Sequence, residues 1–339
     1  MTSVLVVGGG PVGLAAAIEA RLAGFGVTVF EPRTGAIDKA CGEGLMPGAL
    51  PLLARLGVEP QGYPLRGINY RDGKRSVEHP FENGHGLGVR RTTLHAALHA
   101  RAVELAVRFV NEKVAAVDQG DGWVEAGGIR ADWMLACDGL HSTVAELVGL
   151  SRPAPRSRRR FGLRRHYRVE PWSEFVEIHW SRLGEIYVTP TGDGVVGLSL
   201  LAKRGTNFDE ALAAVPELAA RVAGAETASE LRGAGPFRQH TRSRVAGRVL
   251  LVGDSSGYVD AITGEGLRLG FDQARVAVAA LVADSPRDYE REWLRVTREF
   301  RVLTSGLAWA AATPARAVVV PLTAALPQLF RAGVERLAR

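Results

Sequence analysis

The chain of 339 residues has few cysteines and no long apolar run. Two cysteines, Cys41 and Cys137, are too few for a disulfide framework, so we expect a reducing compartment, the cytoplasm. The first residues show no signal-peptide pattern. The apolar stretch 302–329 is interrupted by Arg316 and by prolines, so we expect no transmembrane span but a packed C-terminal cover, with peripheral membrane contact as the alternative.

Lysine is also scarce, so nearly all of the positive charge behind the net +6 is arginine. One cluster of arginines lies within 152–168. A solvated face with structural ion pairs is the favoured interpretation of this cluster. The alternative is a surface for an acidic carrier protein, a phosphate-bearing substrate or an anionic membrane. The cluster consists of Arg152, Arg156, Arg158, Arg159, Arg160, Arg164, Arg165 and Arg168.

Neither nucleic acid nor a metal ion is expected as a ligand. The chain has no basic helix interleaved with aromatic residues. His95 and His99 stand four residues apart on a predicted helix, but no third ligand is evident, so surface histidines are favoured over half of a metal site.

Strand and helix patterns alternate at the start of the chain and change character later. The apolar run 3–7, the small residues 12–23 and the apolar run 27–30 predict a βαβ unit. From residue 151, alternation of apolar and polar residues predicts an antiparallel sheet, and the chain after 286 is predicted to be helical. We therefore predict an α/β fold with residues 1–150 and 241–285 in one domain, 151–240 inserted as a substrate domain, and 286–339 as a C-terminal helical segment.

A glycine-rich turn connects the first strand to the first helix. Gly8 permits a tight turn, Gly10 lets the backbone approach a pyrophosphate, and Gly13 lets the helix pack closely on the strand. The helix N-terminus offers free N–H groups and a partial positive charge to phosphates. Glu31, at the end of the second strand, can accept hydrogen bonds from a ribose. These features predict a dinucleotide-binding, Rossmann-like domain without distinguishing NAD from FAD.

Two later motifs make that distinction by resemblance. The segment MLACDGLHST, with Asp138 and Gly139, resembles the Asp-Gly motif of the para-hydroxybenzoate hydroxylase-like flavoproteins. The segment RVLLVGDSSGYVDAITGEGLRLGFDQA, with Asp254, resembles the second flavin signature of that superfamily, and its Gly-Glu-Gly form is closest to the geranylgeranyl reductase and halogenase-related branch. The resemblance implies an FAD-binding fold with an inserted antiparallel substrate domain. It implies cofactor contacts from Gly8, Gly10, Pro11, Val12, Gly13, Glu31, Arg33, Cys41, Gly42, Arg91, Val114, Asp138, Gly139, Asp254, Gly264, Glu265, Gly266 and Leu267.

Three functions remain open at this stage. The favoured one is an NAD(P)H-dependent monooxygenase acting on an aromatic or polyketide-like small molecule, free or carrier-bound. The alternatives are an ene-reductase acting on an isoprenoid or other alkene, and a flavin-binding protein without turnover. Only one dinucleotide fingerprint is present, so NAD(P)H is expected to dock transiently. Ala145 occupies a position where many hydroxylases carry arginine, which weakens the assignment of the nicotinamide contact. Cys41, His166, Tyr167 and Glu265 are the catalytic candidates.

Overall fold

The protein, described here by a computed structural model covering residues 2–153 and 159–339, is built around two large sheets. The strands are β1 (Ser3–Val7), β2 (Gly26–Phe30), β3 (Gly44–Leu45), β4 (Tyr63–Leu65), β5 (Gly67–Arg71), β6 (Ser76–Pro80), β7 (Gly86–Gly88), β8 (Arg108–Val110), β9 (Asp118–Gly120), β10 (Trp123–Ala126), β11 (Ile129–Ala131), β12 (Trp133–Ala136), β13 (Ser151–Arg152), β14 (Arg160–Arg168), β15 (Phe175–Trp180), β16 (Gly184–Gly192), β17 (Val195–Lys203), β18 (Arg232–Ala234), β19 (His240–Thr241), β20 (Val245–Ala246) and β21 (Val249–Leu251). The helices are α1 (Pro11–Leu22), α2 (Leu50–Arg55), α3 (Arg91–Glu104), α4 (Thr143–Leu147), α5 (Phe208–Ala213), α6 (Pro216–Arg221), α7 (Gly266–Val282), α8 (Pro286–Ala311), α9 (Arg316–Ala325) and α10 (Pro327–Ala338).

The first sheet has the strand order β20-β21-β12-β1-β2-β8 and carries the glycine-rich turn. Its strands are parallel except for the antiparallel pair of β20 and β21. Strand β1 is buried on both faces, which explains why its sequence is an uninterrupted apolar run. Because parallel strands end on one edge of the sheet, the turns after β1, β12 and β21 lie at the same edge.

The second sheet has the order β18-β14-β17-β16-β15-β5-β6 and is antiparallel except where β15 runs parallel to β5. The predicted inserted domain therefore does not contain the whole sheet. Strands β5 and β6 come from residues before 151, which the sequence pattern placed in the nucleotide-binding domain. Their hydrophobic pattern does not reveal the sheet to which they belong, because register and partner are set by distant residues.

Apolar clusters cover both faces of each sheet. On the second sheet, one face packs against α5 and α6, and the other packs against α8, α9 and α10. The C-terminal helical segment is thus part of the fold's core rather than an appendage. Among the described residues, no single helix is long and apolar enough to cross a membrane, although α8 and α9, bent by 118° at their junction, pass that test as a broken pair on length and composition alone.

Four arginines of the cluster form ion pairs, as the favoured interpretation expects, although two of the four are buried rather than on a solvated face. Arg160 lies buried between Glu185 and Asp260, and Arg164 is buried against Asp38. Arg165 pairs with Asp209, and Arg168 lies at a longer distance from Glu226. Arg156 and Arg158 lie outside the described residues.

Candidate functional site

A cavity of about 450 Å³ begins at the glycine-rich turn and extends to the second sheet. It is lined at one end by loops that follow β1, β12 and β21, and at the other end by apolar side chains. The residues expected at the cofactor that line it are Gly8, Gly10, Pro11, Val12, Arg33, Cys41, Gly42, Arg91, Asp138, Gly139, Asp254, Gly264, Gly266 and Leu267. Three separate stretches of sequence therefore converge on one cavity.

The glycine turn is too tight for side chains at two of its positions. Gly8 has φ +101°, and a Cβ there would lie 2.6 Å from the carbonyl oxygen of Cys137. A Cβ on Gly13 would lie 1.8 Å from the carbonyl oxygen of Gly8. Gly10 differs, because a Cβ there would meet only a guanidinium nitrogen of Arg91, at 3.8 Å, and would otherwise fill the cavity. Gly10 is thus the position at which a ligand can approach the backbone.

The groups around this turn suit a diphosphate. Helix α1 has no side-chain cap, so its first N–H groups are available to a ligand. Arg33, Lys39 and Arg91 line the cavity, and Nε of Arg91 is buried without a hydrogen-bond partner within the described residues. A buried, unpaired guanidinium nitrogen beside free helical N–H groups fits the pyrophosphate of FAD.

Burial raises the pKa of the Asp254 carboxyl, while Lys39 and Arg91 act in the opposite direction. Burial also lowers the pKa of Lys39, which Asp254 partly offsets. Lys39 had not been predicted as a cofactor residue. Lys39 lies two residues before Cys41, which the resemblance places at the cofactor, so its position in the same loop was the available signal.

Glu31 lies behind the turn rather than in the cavity wall. Its carboxylate accepts hydrogen bonds from the Gly9 N–H at 2.8 Å and from the Arg33 guanidinium, with Nε at 2.7 Å. Burial alone would raise its pKa, but the hydrogen bonds from Arg33 and Gly9 outweigh burial and lower it. An ionised Glu31 therefore holds both the glycine turn and Arg33 in place.

The Asp-Gly motif has a structural role that its sequence did not specify. The Asp138 carboxylate accepts hydrogen bonds from Ser142 Oγ at 2.6 Å and from the Val144 N–H at 3.0 Å. Ser142 is the N-cap of α4, so Asp138 holds this cap and the first turn of the helix. Gln239, which the sequence analysis missed, donates to the carbonyl of Asp254 at 2.8 Å and accepts from the His141 N–H. Gln239 thereby ties the second motif to the third.

Helix α7 begins at the third motif and points its N-terminus at the cavity. Gly264, with φ +72°, and Gly266 line the wall, and the helix has no side-chain cap. The partial positive charge of this end favours a negative charge in front of it. Glu265 itself is buried, not in the cavity wall, and pairs with Arg268. Burial raises the pKa of Glu265 to about 7, and Arg268 reduces this shift.

The Cys41–Gly44 loop is held by a buried polar network. Glu43 accepts a hydrogen bond from the Arg91 N–H at 2.8 Å and contacts His166 Nε2 at 2.5 Å. Arg164 has only donors, and its Nη1 lies 3.0 Å from His166 Nδ1, so Nδ1 accepts and Nε2 carries the proton donated to Glu43. His166 therefore supports the loop from behind and does not line the cavity.

Three other predicted residues also lie away from the cavity. Tyr167 points to the opposite face of β14, into the core with α5 and α6, because neighbouring residues on a strand face opposite sides. Val114 is in the core on the far side of the first sheet. His95 is buried rather than on the surface, and its Nε2 contacts the Gly9 carbonyl at 2.9 Å, so the expectation of a surface histidine is wrong.

The far end of the cavity is apolar. The sequence patterns did not identify the individual residues that line it. Its walls come from alternate positions of β5, β15, β16 and β17, from the loop before α7, and from α10. Among the described residues, those lining this end carry no charge. They include Ile68, Tyr70, Val176, Ile178, Tyr187, Leu201, Phe237, Ile262 and Leu337. Burial raises the pKa of Tyr70 to about 12, so its phenol stays neutral at physiological pH.

The family of the chain follows from this site and from comparison with known proteins. Residues 1–285 match the family model described as "FAD binding domain", and the chain belongs to that family. Its relatives place it among the group A flavin monooxygenases, the para-hydroxybenzoate hydroxylase-like superfamily that the three motifs resemble. The cofactor is FAD.

Individual relatives differ in what their names say they do. Dialkyldecalin synthase of Streptomyces rugosporus is 29% identical over 80% of this chain, and the match spans 63% of that protein's length. Menaquinone reductase of Mycolicibacterium smegmatis is 26% identical over 87% of this chain and 80% of its own. Para-nitrophenol 4-monooxygenase of a Pseudomonas species is 29% identical over 44% of this chain and 43% of its own.

Solved structures agree on the fold. A flavoprotein described as a dehydrogenase, from Cytophaga hutchinsonii, superposes with a TM-score of 0.86 over 99% of this chain and 92% of that one, at 17% identity. This agreement confirms the predicted fold class, an FAD-binding α/β fold with an antiparallel substrate sheet and C-terminal helices.

Proposed function

We propose that this protein is an FAD-dependent monooxygenase that uses NAD(P)H to hydroxylate an apolar, uncharged aromatic or polyketide-like molecule. The single observation that carries the proposal is the shared cavity, in which the groups suited to FAD and the apolar face of the second sheet border one space. The similarity to para-nitrophenol 4-monooxygenase supports it. We further propose that the protein is cytoplasmic and that NAD(P)H binds to it only transiently.

Each end of the cavity contributes separately to this chemistry. Arg91, Lys39 and the α1 N-terminus bind the diphosphate, while the α7 N-terminus stabilises negative charge beside it. Ile178 and Tyr187 belong to the wall that binds the substrate and excludes water. FAD, when bound, supplies the electron transfer and the activation of oxygen. The chain therefore positions the substrate beside the cofactor and excludes water from the reaction. We assign no acid or base role to any residue of the apolar end.

Oxygen dependence tests the proposal. NAD(P)H oxidation and oxygen uptake are measured with a panel of hydroxylated aromatics, and the masses of the products are determined by mass spectrometry. We expect substrate-stimulated oxygen uptake and a product heavier by one oxygen atom. Substitution Ile178→Asn is expected to raise KM about tenfold, which corresponds to ~1.4 kcal/mol of lost binding, without changing FAD content. Turnover of the same substrate without oxygen would refute hydroxylation.

A second candidate, reduction of an alkene or quinone, is favoured by one specific observation. The Cys41–Gly44 loop, whose sequence resembles the geranylgeranyl reductase branch, lies in the cavity wall between the diphosphate end and the sheet. The similarity to menaquinone reductase extends over 87% of this chain. Anaerobic incubation with reduced nicotinamide and a panel of naphthoquinones and alkenes distinguishes this candidate, because a reductase consumes them without oxygen.

A further inference from the structure

The C-terminal helices present a large exposed apolar surface, which we call the tail surface. Within 302–329 the only charged residue is Arg316, and its guanidinium is turned inward to Glu185 and to the carbonyl of Arg182. Soluble domains rarely expose contiguous apolar patches of this kind without a partner. The exposed members are Val302 at 69%, Trp309 at 54%, Val318 at 56%, Leu322 at 47%, Leu326 at 49% and Leu329 at 56%.

These residues lie on the end of α8, on α9, at the junction of α9 with α10 and on the first turn of α10. On α8 the buried side chains include Trp293, Thr297 and Thr304, whereas Val302 and Trp309, seven residues apart, face outward. On α9 the pair Val319 and Val320 is buried and the outer face is apolar. The first half of α8 exposes charged side chains such as Arg291 and Arg295, whereas its last turns from residue 302 and the outer face of α9 expose apolar ones. This second part is therefore apolar on the core side and on the solvent side, which packing within one chain does not require.

A cationic cleft adjoins the tail surface. Ala311 and Ala312, at the junction of α8 and α9, form one side of a cleft of about 1170 Å³. Its other walls carry positive side chains from three strands and their turns, and the one acidic residue among the described lining, Glu185, is shared between Arg160 and Arg316. The remaining cations of the cleft are Arg159, Arg182, Lys203 and Arg204.

We propose that the tail surface docks this protein on an anionic phospholipid bilayer, with the end of α8, α9 and the first turn of α10 lying in the interface and the cationic cleft facing lipid headgroups. Helices with exposed apolar residues, including tryptophan, bind at this depth when cations adjoin them. A second copy of the chain is a poorer occupant, because pairing two tail surfaces brings two cationic clefts of a molecule with net charge +6 towards each other. The proposal does not depend on the reaction that the site performs.

Vesicle flotation of the FAD-loaded protein tests this proposal. We expect binding to vesicles of phosphatidylglycerol mixed with phosphatidylcholine, weaker binding to phosphatidylcholine alone, and release as salt is raised. The double variant Trp309→Ser with Leu329→Ser is expected to lower the partition coefficient by at least about tenfold. The variant Arg204→Gln is expected to lower it about fivefold.

Matched controls are available elsewhere on the surface. Val282→Ser removes a 62% exposed apolar side chain at the end of α7, and Arg108→Gln removes an exposed cation at the edge of the first sheet. Both are expected to leave binding unchanged, and FAD content verifies folding of every variant. Equal loss in the controls, or no vesicle binding by the parent protein, would overturn the proposal. A stable dimer that Trp309→Ser dissociates, without vesicle binding, would overturn it in favour of a second copy.

Discussion

Glu265 makes the stability of this protein depend on pH in a way that can be measured. Its side chain is 2% exposed, Oε2 accepts a hydrogen bond from Arg268, and Oε1 is buried without a hydrogen-bond partner among the described residues. Burial raises its pKa from 4.5 to about 7. The substitution Glu265→Gln keeps the shape and removes the titration.

The sign follows from proton binding. Between pH 4.5 and about 7 the native state keeps the proton on Glu265 while the unfolded state releases it. The free energy of unfolding therefore falls as pH rises through this window, by ~1.4 kcal/mol per unit and by about 3 kcal/mol in total. Above the folded pKa the loss is complete and constant. The glutamine variant lacks this loss, so its advantage over the parent is expected to grow across the window.

Urea unfolding of parent and variant at a series of pH values measures the difference, in which other titrating groups cancel. FAD is kept at one concentration, and the affinity of each form is measured so that its contribution is subtracted. Glu146→Gln, at an exposed position, serves as the control and is expected to give a flat difference. A flat or oppositely sloped difference for Glu265→Gln would refute the burial argument.

Three further predictions concern the turn and the loop. Gly13→Ala places a Cβ 1.8 Å from the Gly8 carbonyl oxygen and is expected to weaken FAD binding at least about tenfold by flavin fluorescence, whereas Gly333→Ala, with open space around it, leaves binding intact. Glu43→Ala removes the acceptor of the His166 Nε2 proton and is expected to lower the free energy of unfolding by about 2 kcal/mol in urea; an effect below ~0.5 kcal/mol would contradict the assigned network. Arg91→Met is expected to raise the Kd for FAD about tenfold or more in a titration, because it removes a cavity-lining guanidinium whose Nε is buried without a hydrogen-bond partner among the described residues.

Local sequence patterns identified many of the residues that line one end of the cavity. Gly8, Gly10 and Asp254 each occupy a turn directly after a parallel strand, and strands of one parallel sheet end at one edge, so the convergence follows from the order of elements. The fold class is confirmed for the same reason. The apolar end lacked such a signal, because Ile178 and Leu201 look like any inward-facing strand residue until the register of the sheet is known.

The errors also have a physical pattern. His95 and His166 look like solvent-exposed or catalytic histidines in sequence, but each is buried, and the Nε2 atom of each contacts a partner far along the chain, at Gly9 and Glu43. A sequence pattern read over a few neighbouring residues cannot reveal such distant partners. The same limit applied to Gln239, which connects two motifs through backbone atoms and so leaves no motif of its own.

The parallel pairing of β15 with β5 has a consequence for engineering. Transplanting residues 151–240 into a related flavoprotein would leave β15 with the host's strand in place of β5 and β6, and the graft would lose one wall of the substrate cavity, including Ile68 and Tyr70. A chimera that exchanges substrate preference needs two crossover segments, 63–88 and 160–240, moved together. Recombination between relatives at a single boundary near residue 150 is therefore expected to yield misfolded protein, which makes this pair of strands a natural barrier to shuffling.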